Sequence, residues 1–492
     1  MSLPIAIGIP DEVKGNLGYN LPPDAKSIQA KILPSNVSSV SSGTLTIPTT
    51  QAVGNVELSF PSQEIRFNIP CMQSPSMFLD TRMTSLTFRM TVTCTNAVVP
   101  AAGNLNVCLR SSANAFFDRA YVLGPNNNTL EDVLEYGVVC DTLQAIQLDN
   151  SDRDGLANMF AFYNDGLSTG TNYLQGQQVP LFGQLANLVT PNTTSNSFTV
   201  PVVSSVIGVT NDSFVNIGRL NSLTYVLQTA SILPFAINVN TALTTNNLTF
   251  NVVLDSFSLN VEFIDIGMNA LKLVDETLVN GVSYSHGTTY RTSTTALPAN
   301  TSGSVSLLSG IRGSSIKTLI TRFQENSVSN SISGKYNSKN PNCNSISFNI
   351  GGVKFPQAPV NPLLFPSQSF EHLQKAMGNF NSKQFNSAIT PSIYSRLSAG
   401  GSAQGFTLTN QDYTYTNTAS AYNCQDLFLW GQNLEVCAKR GVLSGLNCSS
   451  APIFVDLNIA SANTNAHNMI VIAMQDSILI HNVVTGDLQV RL

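Results

Sequence analysis

Apolar and polar residues take turns one by one along several stretches of this chain. That period of two marks strands with one face on a core and the other on polar surroundings. Leu86, Phe88, Met90, Val92 and Cys94 alternate with Thr87, Arg89, Thr91 and Thr93. Phe257, Leu259, Val261 and Phe263 alternate with Ser258, Asn260 and Glu262, whereas Leu248, Phe250 and Val252 just upstream keep the opposite phase. A phase change inside one long strand predicts a bulge or bend near Val252–Leu254. Ile346, Phe348 and Ile350 repeat the pattern in the later half, as do Ile453, Val455, Leu457 and Ile459. The C-terminal SILIHNVVTGDLQVRL predicts a hairpin turning at Thr485-Gly486.

Helical spacing is scarce. Thr129 with Asp132 three residues on resembles a capping box, and Leu130, Val133, Leu134 and Val138 recur at helical spacing behind it. Glu131, Asp132 and Glu135 would then crowd that helix N-terminus and favour its dipole. A second helix is predicted from Ser367 to Met377, with Phe370, Leu373 and Met377 on one face and Gly378 as the stop. A third, at Asn269–Leu278, lies between a strand ending at Ile266 and one starting near Val282, the natural junction of two β halves.

Each half holds about eight strand candidates separated by turn signals. Each also carries a helix and a long polar stretch, Asn164–Ser197 in one and Asn379–Asn423 in the other. The predicted fold class is all-β: two consecutive eight-stranded jelly-roll β-sandwiches, a double jelly roll, with a few short helices in loops. The expected division is an N-terminal arm over 1–50, rich in proline and nearly neutral, a first jelly roll over 51–268 and a second over 269–492. No repeat of the length of a solenoid or propeller unit is visible.

Composition narrows the function. Only 11% of the 492 residues are charged, and Asn, Ser and Thr take their place. A chain poor in charge yet not strongly apolar suits a subunit whose surface is covered by neighbours. The N-terminal Lys14, Lys26 and Lys31 are offset by Asp11, Glu12 and Asp24, so the strong positive excess of a genome-binding arm is missing and no direct, strong nucleic-acid binding is expected. The N-terminus does not read as a secretion signal, and runs such as Ser231–Val239 and Met469–Met474 are too short for a transmembrane segment. The eight cysteines (71, 94, 108, 140, 343, 424, 437 and 448) form no C-x-x-C pair and read as reduced, mostly buried thiols. Sequons at Asn36, Asn127, Asn192, Asn211, Asn247, Asn300 and Asn447 follow from the abundance of Asn, Ser and Thr.

Candidate chemistry is thin. His286, His372, His467 and His481 share no metal-ligand spacing, with His372 expected at a helix surface and His467 in a polar turn. Asn150, Asp152, Asp154 and Gly155 match the first half of a calcium loop, but Ala161 stands where a bidentate Glu is needed. Ser398–Gly405, SAGGSAQG, lacks the Lys-Ser/Thr of a phosphate loop. Trp430 is the only tryptophan, which speaks against an aromatic carbohydrate cleft. No catalytic residue, cofactor or metal is expected, and the chain reads as no enzyme.

Several segments resemble a known family. They are EIRFNIP (Glu64–Pro70) with FLDTR (Phe78–Arg82), FFDRAYVLGPNNNTLEDVLEYG (Phe116–Gly137) and LTFNVVLDSFSLNVEFIDI (Leu248–Ile266). In the later half they are SIKTLITRF (Ser315–Phe323), SFNIGGVKFPQAPV (Ser347–Val360) with the helix QSFEHLQKAM, and the run Phe428–Ile459. In order and character these resemble the double jelly-roll major capsid proteins of polinton-like viruses, virophages, adintoviruses and, more distantly, nucleocytoplasmic large DNA viruses. The resemblance covers 56–492 and implies two upright jelly rolls per chain and a homotrimer shaped as a pseudo-hexameric capsomer. Capsomers would tile an icosahedral shell around a double-stranded DNA genome, with neighbouring capsomers and penton and minor capsid proteins as partners and the virion as location. On that reading, the polar stretches form outward towers and residues 1–50 lie at the capsomer base. The competing readings are a secreted or surface β-sandwich adhesin or glycan-binding protein, a jelly-roll carbohydrate enzyme, and a single-domain spike or penton protein.

Overall fold

The computed structural model describes residues 25–47, 53–95, 105–109, 112–147, 192–211, 213–239, 248–278, 280–325, 338–378, 428–435, 443–463 and 465–492. In the first half, one antiparallel sheet runs β1 (Lys26–Ile32), β14 (Leu248–Asp265), β6 (Met77–Thr95), β10 (Asn192–Pro201). β2 (Ser39–Ser41) and β3 (Leu45–Ile47) add to β14, and β11 (Phe214–Val215) adds to β6. The facing sheet runs β5 (Glu64–Ile69), β12 (Leu223–Thr229), β8 (Phe117–Leu123), β9 (Thr129–Leu134). A third sheet, β4 (Val53–Ser59), β13 (Ile232–Val239), β7 (Leu105–Leu109), uses the chain neighbours of β5, β12 and β8 in the same order.

The second half repeats the two-sheet plan. One sheet runs β15 (Val282–Leu297), β22 (His467–Asn482), β17 (Ile316–Glu325), β20 (Leu429–Asn433), with β23 (Asp487–Arg491) on β22. The other runs β16 (Gly303–Ser309), β21 (Ile453–Ile459), β18 (Cys343–Ile350), β19 (Val353–Val360). Three α-helices complete the described residues: α1 (Tyr136–Gln147), α2 (Gly267–Thr277) and α3 (Pro366–Ala376). The second and third helix predictions therefore hold, with Leu373 buried and Gly378 at φ 71° ending the turn.

Alternation becomes burial as expected. Leu86, Phe88, Met90 and Val92 are buried while Thr87, Arg89, Thr91 and Thr93 face outward. Phe88 sits in an aromatic cluster with Phe116, Phe117, Phe198 and Phe257, at centroid distances of 5.7, 5.4, 5.6 and 6.1 Å. Phe117 lies on β8, so this cluster packs the two sheets onto each other. In the second half Trp430 of β20 meets Phe348 of β18 at 4.6 Å, closing that sandwich. The C-terminal hairpin turns as predicted, with Gly486 at φ 72° between β22 and β23.

Four expectations change. The bend in β14 lies at Asp255–Ser258, where the pairing with β6 shifts, and Ser256 takes φ 54°. Leu254 still keeps the upstream phase and is buried, so the extra residue enters just after it. Within the arm, the described residues 25–47 hold three strands: Lys26–Ile32 pairs residue for residue with Asp265–Leu259, and β2 and β3 follow on β14. Edge strands tolerate the polar, Lys-bearing sequence that reads as loop. The predicted helix at Thr129 is strand β9, paired with β8 from Arg119↔Leu134 to Leu123↔Thr129. The helix starts only at Tyr136, after Glu135 reverses the chain at φ 52°. Finally, His467 is no turn residue. It opens β22 and is buried. The candidate calcium loop, Ser398–Gly405 and almost all of both polar stretches lie outside the described residues.

Candidate assembly surfaces and the seam between the rolls

The described residues among those that suggested chemistry are scattered through the fold. Among the described residues no three His, Cys, Asp or Glu come together as a metal would need. His286 is exposed, His372 is half-buried on α3, and His467 and His481 are buried far from each other on β22. Trp430 is buried in the second core, not displayed in a cleft. Cys71, Cys140, Cys343 and Cys448 are free thiols, and burial pushes that of Cys71 up to about 11. The other four cysteines lie outside the residues whose side chains are described.

The acidic trio behind Thr129 separates once β9 is a strand. Asp132 pairs across to Arg119 through two bonds of 2.7 Å, on the outer surface. Glu131 points the other way and is buried. Ser204 Oγ and the Ser205 backbone N–H donate to it, and so does Thr289 Oγ1 at 2.8 Å. Thr289 belongs to β15, so Glu131 sits on a seam where the second roll meets the first. Thr292 Oγ1 donates to Leu134 O at 3.2 Å beside it. The Thr288 N–H donates to Thr210 O at 2.9 Å, next to a bridge between Asn211 and Gly287. A Cβ on Gly287 would lie 2.9 Å from Ser205 O, so the two backbones meet where glycine alone leaves room.

Further along, Arg322 of β17 is fully buried against the first roll's α1. It donates to Asp141 Oδ2 at 3.1 Å, Thr142 Oγ1 at 2.7 Å and Val138 O at 3.4 Å. A buried guanidinium needs such partners, because its charge is costly away from water. The buried hydroxyls of Tyr136, Tyr225 and Tyr290 and the thiol of Cys140 lie within reach of one another, and burial pushes all four up. At the opposite end, Arg219 forks onto Asp275 of α2 at 2.6 and 2.7 Å. Asn221 Nδ2 donates to Thr485 O at 3.1 Å in the C-terminal turn. His481 is buried beside Arg219, and burial lowers it to about 4.

Outward faces carry a different chemistry. The first roll's large sheet shows hydroxyl and amide ladders, such as Thr87–Thr199 at 2.9 Å and Asn260 Nδ2 donating to Thr87 Oγ1 at 2.8 Å. Arg89 and Asp255 add a surface ion pair at 2.7 Å. Exposed apolar side chains are scattered, among them Ile28, Met72, Met268 and Leu308, with Leu364 and Phe365 adjacent at the start of α3. Among the described residues this surface is polar and weakly charged, with single apolar points. No described helix is long and apolar enough to cross a membrane. Sequence reasoning missed Thr289 and Arg322, and placed Glu131 at a helix N-terminus in place of the seam. The local signal for Arg322 is a charge inside the apolar run LITRF, whereas Thr289 is one hydroxyl among many in VSYSHGTTYRTSTTAL.

No protein-family model matches the sequence, and no curated protein matches it. Solved structures do. The mavirus major capsid protein superposes with a TM-score of 0.52 at 12% identity, over 91% of this chain and 90% of that one. A chain of the Sputnik virophage particle superposes with a TM-score of 0.53 at 12% identity, over 89% of each chain. Sheets, seam and comparisons agree that this chain has the double jelly-roll fold found in the mavirus major capsid protein.

Proposed function

We propose that the protein is a major capsid protein, a structural subunit without catalysis. One observation carries this reading: the fold is shared with the mavirus major capsid protein across nine-tenths of both chains, both rolls included. The low charge of 11% and the polar ladders on the outer sheet support it, since contacts between like subunits tolerate neutral hydrogen-bonding surface better than a dense charge. Three chains associate into a pseudo-hexameric capsomer, with residues 51–268 and 269–492 as the two upright rolls. Residues 1–50 lie at its base, held there through β1, β2 and β3. Capsomers tile an icosahedral shell around double-stranded DNA, with penton and minor capsid proteins at special positions and the virion as location. The shell encloses the genome without gripping it, in keeping with the net charge of −5.

The test is the mass of the purified protein in solution, followed by negative-stain imaging. A particle of three 52.7 kDa chains with a pseudo-hexagonal outline, or closed shells, is the expected result. A stable monomer that binds glycans and never assembles would overturn the proposal in favour of an adhesin.

A further inference from the structure

We infer that the seam is a rigid latch: polar contacts at both ends and in the middle, buried at Glu131 and Arg322, hold the second roll at one fixed angle to the first, so that the chain moves and unfolds as a single body. The contacts are spread along β15 and β22, not gathered at one hinge. At one end the turn after Asn482 is held by Asn221, with the Asn221 N–H donating to Gly486 O at 3.4 Å and its side chain to Thr485 O. Asn482 pairs with Val282, and the buried Arg322 pairs with Ile470, which in turn pairs with Thr294. From Val282 to Thr294 the strand rises about 40 Å at ~3.3 Å per residue. Attachments that far apart leave only the strand line itself as an axis, and Arg322, two strands to the side on β17, opposes rotation about it.

The middle of the seam and its far end raise the cost of opening. Glu131 loses Thr289 if the rolls part, and Arg322 loses Asp141, Thr142 and Val138 together. A small opening that admits no water leaves these charges desolvated and unpaired, which is more costly than separating an apolar pair. Gly287 lets the two backbones touch over Ser205 and Thr210, so the latch also fixes their spacing. For the capsid reading proposed above, which this clause alone rests on, the angle between rolls would be set within each chain before any neighbour binds.

The test uses the full chain, unassembled, with spin labels carried by non-natural amino acids at the exposed Ser62 of the first roll and Ser304 of the second. Labelled protein is diluted with unlabelled chains so that only distances within one chain are read. The expected wild-type result is one narrow distance distribution and one calorimetric unfolding transition. The double variant R322M/T289V should broaden the distribution and split or lower the transition, and R322K/T289S, which keeps the donors, should restore much of both. If the double variant does not fold, T289V and G287A alone give the same reading in milder form. A broad distribution in the wild type, or variants indistinguishable from it in width and transition, would overturn the latch. Neither outcome depends on whether the protein trimerises, so the capsid reading and the latch fail separately.

Discussion

The large sheets of the two rolls are built on opposite rules. In the first roll, β6 buries every second residue from Thr84 to Val92 and turns Thr87, Arg89, Thr91 and Thr93 outward. In the second, β22 buries Met469, Ile470, Val471, Ile472 and Ala473 without a break, and β17 buries Thr318 through Phe323. Strand pairing explains the run. Val471 and Thr321 share the inner face with Trp430, whereas Ile472, Ile320 and Gly431 share the outer one. That outer face is roofed by α3, where a Cβ on Gly431 would meet Ala376 at 2.8 Å and Thr318 Oγ1 donates to Ala376 O at 2.8 Å. It is roofed by the first roll as well, through Arg322 and α1. A sheet covered on both faces loses its alternation, and one open on a face keeps it. The pattern of each strand thus reports its place in the whole chain: the first roll's large sheet looks outward, the second's is an inner wall.

Substitutions can break this contrast. The largest effect is expected at Phe88, whose four ring contacts tie the first roll's sheets together. Phe88→Ala should cost about 3–5 kcal/mol in denaturant unfolding. A loss under 1 kcal/mol would mean that this cluster does not hold the sandwich. The sharper contrast lies on the outer faces. Ile472→Ala, on the roofed face of β22, should cost about 2–5 kcal/mol. Thr91→Ala, on the open face of β6, should stay within about 0.5 kcal/mol of wild type. Equal effects would show that the second roll's outer face is not an inner wall.

The same contrast governs what was legible in the sequence. Strands such as Leu86–Cys94 and Ile453–Ile459 announced themselves because one of their faces is polar. Met469–Met474 stood out only as a short apolar run, since two-sided burial erases the period that identifies a strand. The segment after Thr129 misled for a related reason. Leu130 and Val133 are buried at a spacing that also suits a helix, and Leu134, exposed in the structure, carries no mark of it in the sequence. Strand pairing with β8 decided the matter. The seam could not be read at all: Glu131 and Thr289 are 158 residues apart, and Arg322 and Asp141 are 181 apart. Local pattern contains nothing about such pairs.

A buried group at the seam also makes stability depend on acid. His481 is buried at the second roll's border with Arg219, and desolvation lowers it to about 4, with the Arg219 charge adding to the shift. The unfolded chain, near the ordinary histidine value of about 6.5, takes up the proton first. Stability is therefore full above about pH 6.5, falls by up to about 1.4 kcal/mol per pH unit towards pH 4, and has no further contribution from this group below that. Denaturant midpoints of wild type and His481→Leu between pH 7 and 4 check this, and the variant should show a shallower fall. Parallel slopes would mean that His481 is not the group taking up the proton.

The smallest effect is expected where the sequence suggested a helix cap. Arg119 and Asp132 make a two-bond pair across β8 and β9, with side chains 37% and 33% exposed. The hydrogen bond to Asp132 raises the Arg119 guanidinium further, but water and salt screen most of what that pairing could contribute to folding. Arg119→Ala should thus cost about 0.2–1 kcal/mol. It also removes the guanidinium that stacks on Tyr121 at 4.8 Å, so part of the loss should survive high salt. Arg119→Lys separates the two, since lysine keeps the charge but neither the fork nor the flat stacking face. If molar salt abolishes the whole difference between wild type and Arg119→Ala, the pair acts by charge alone. If none of it is abolished, stacking holds this edge of the first roll, and the outward face is less purely polar than its alternation implies.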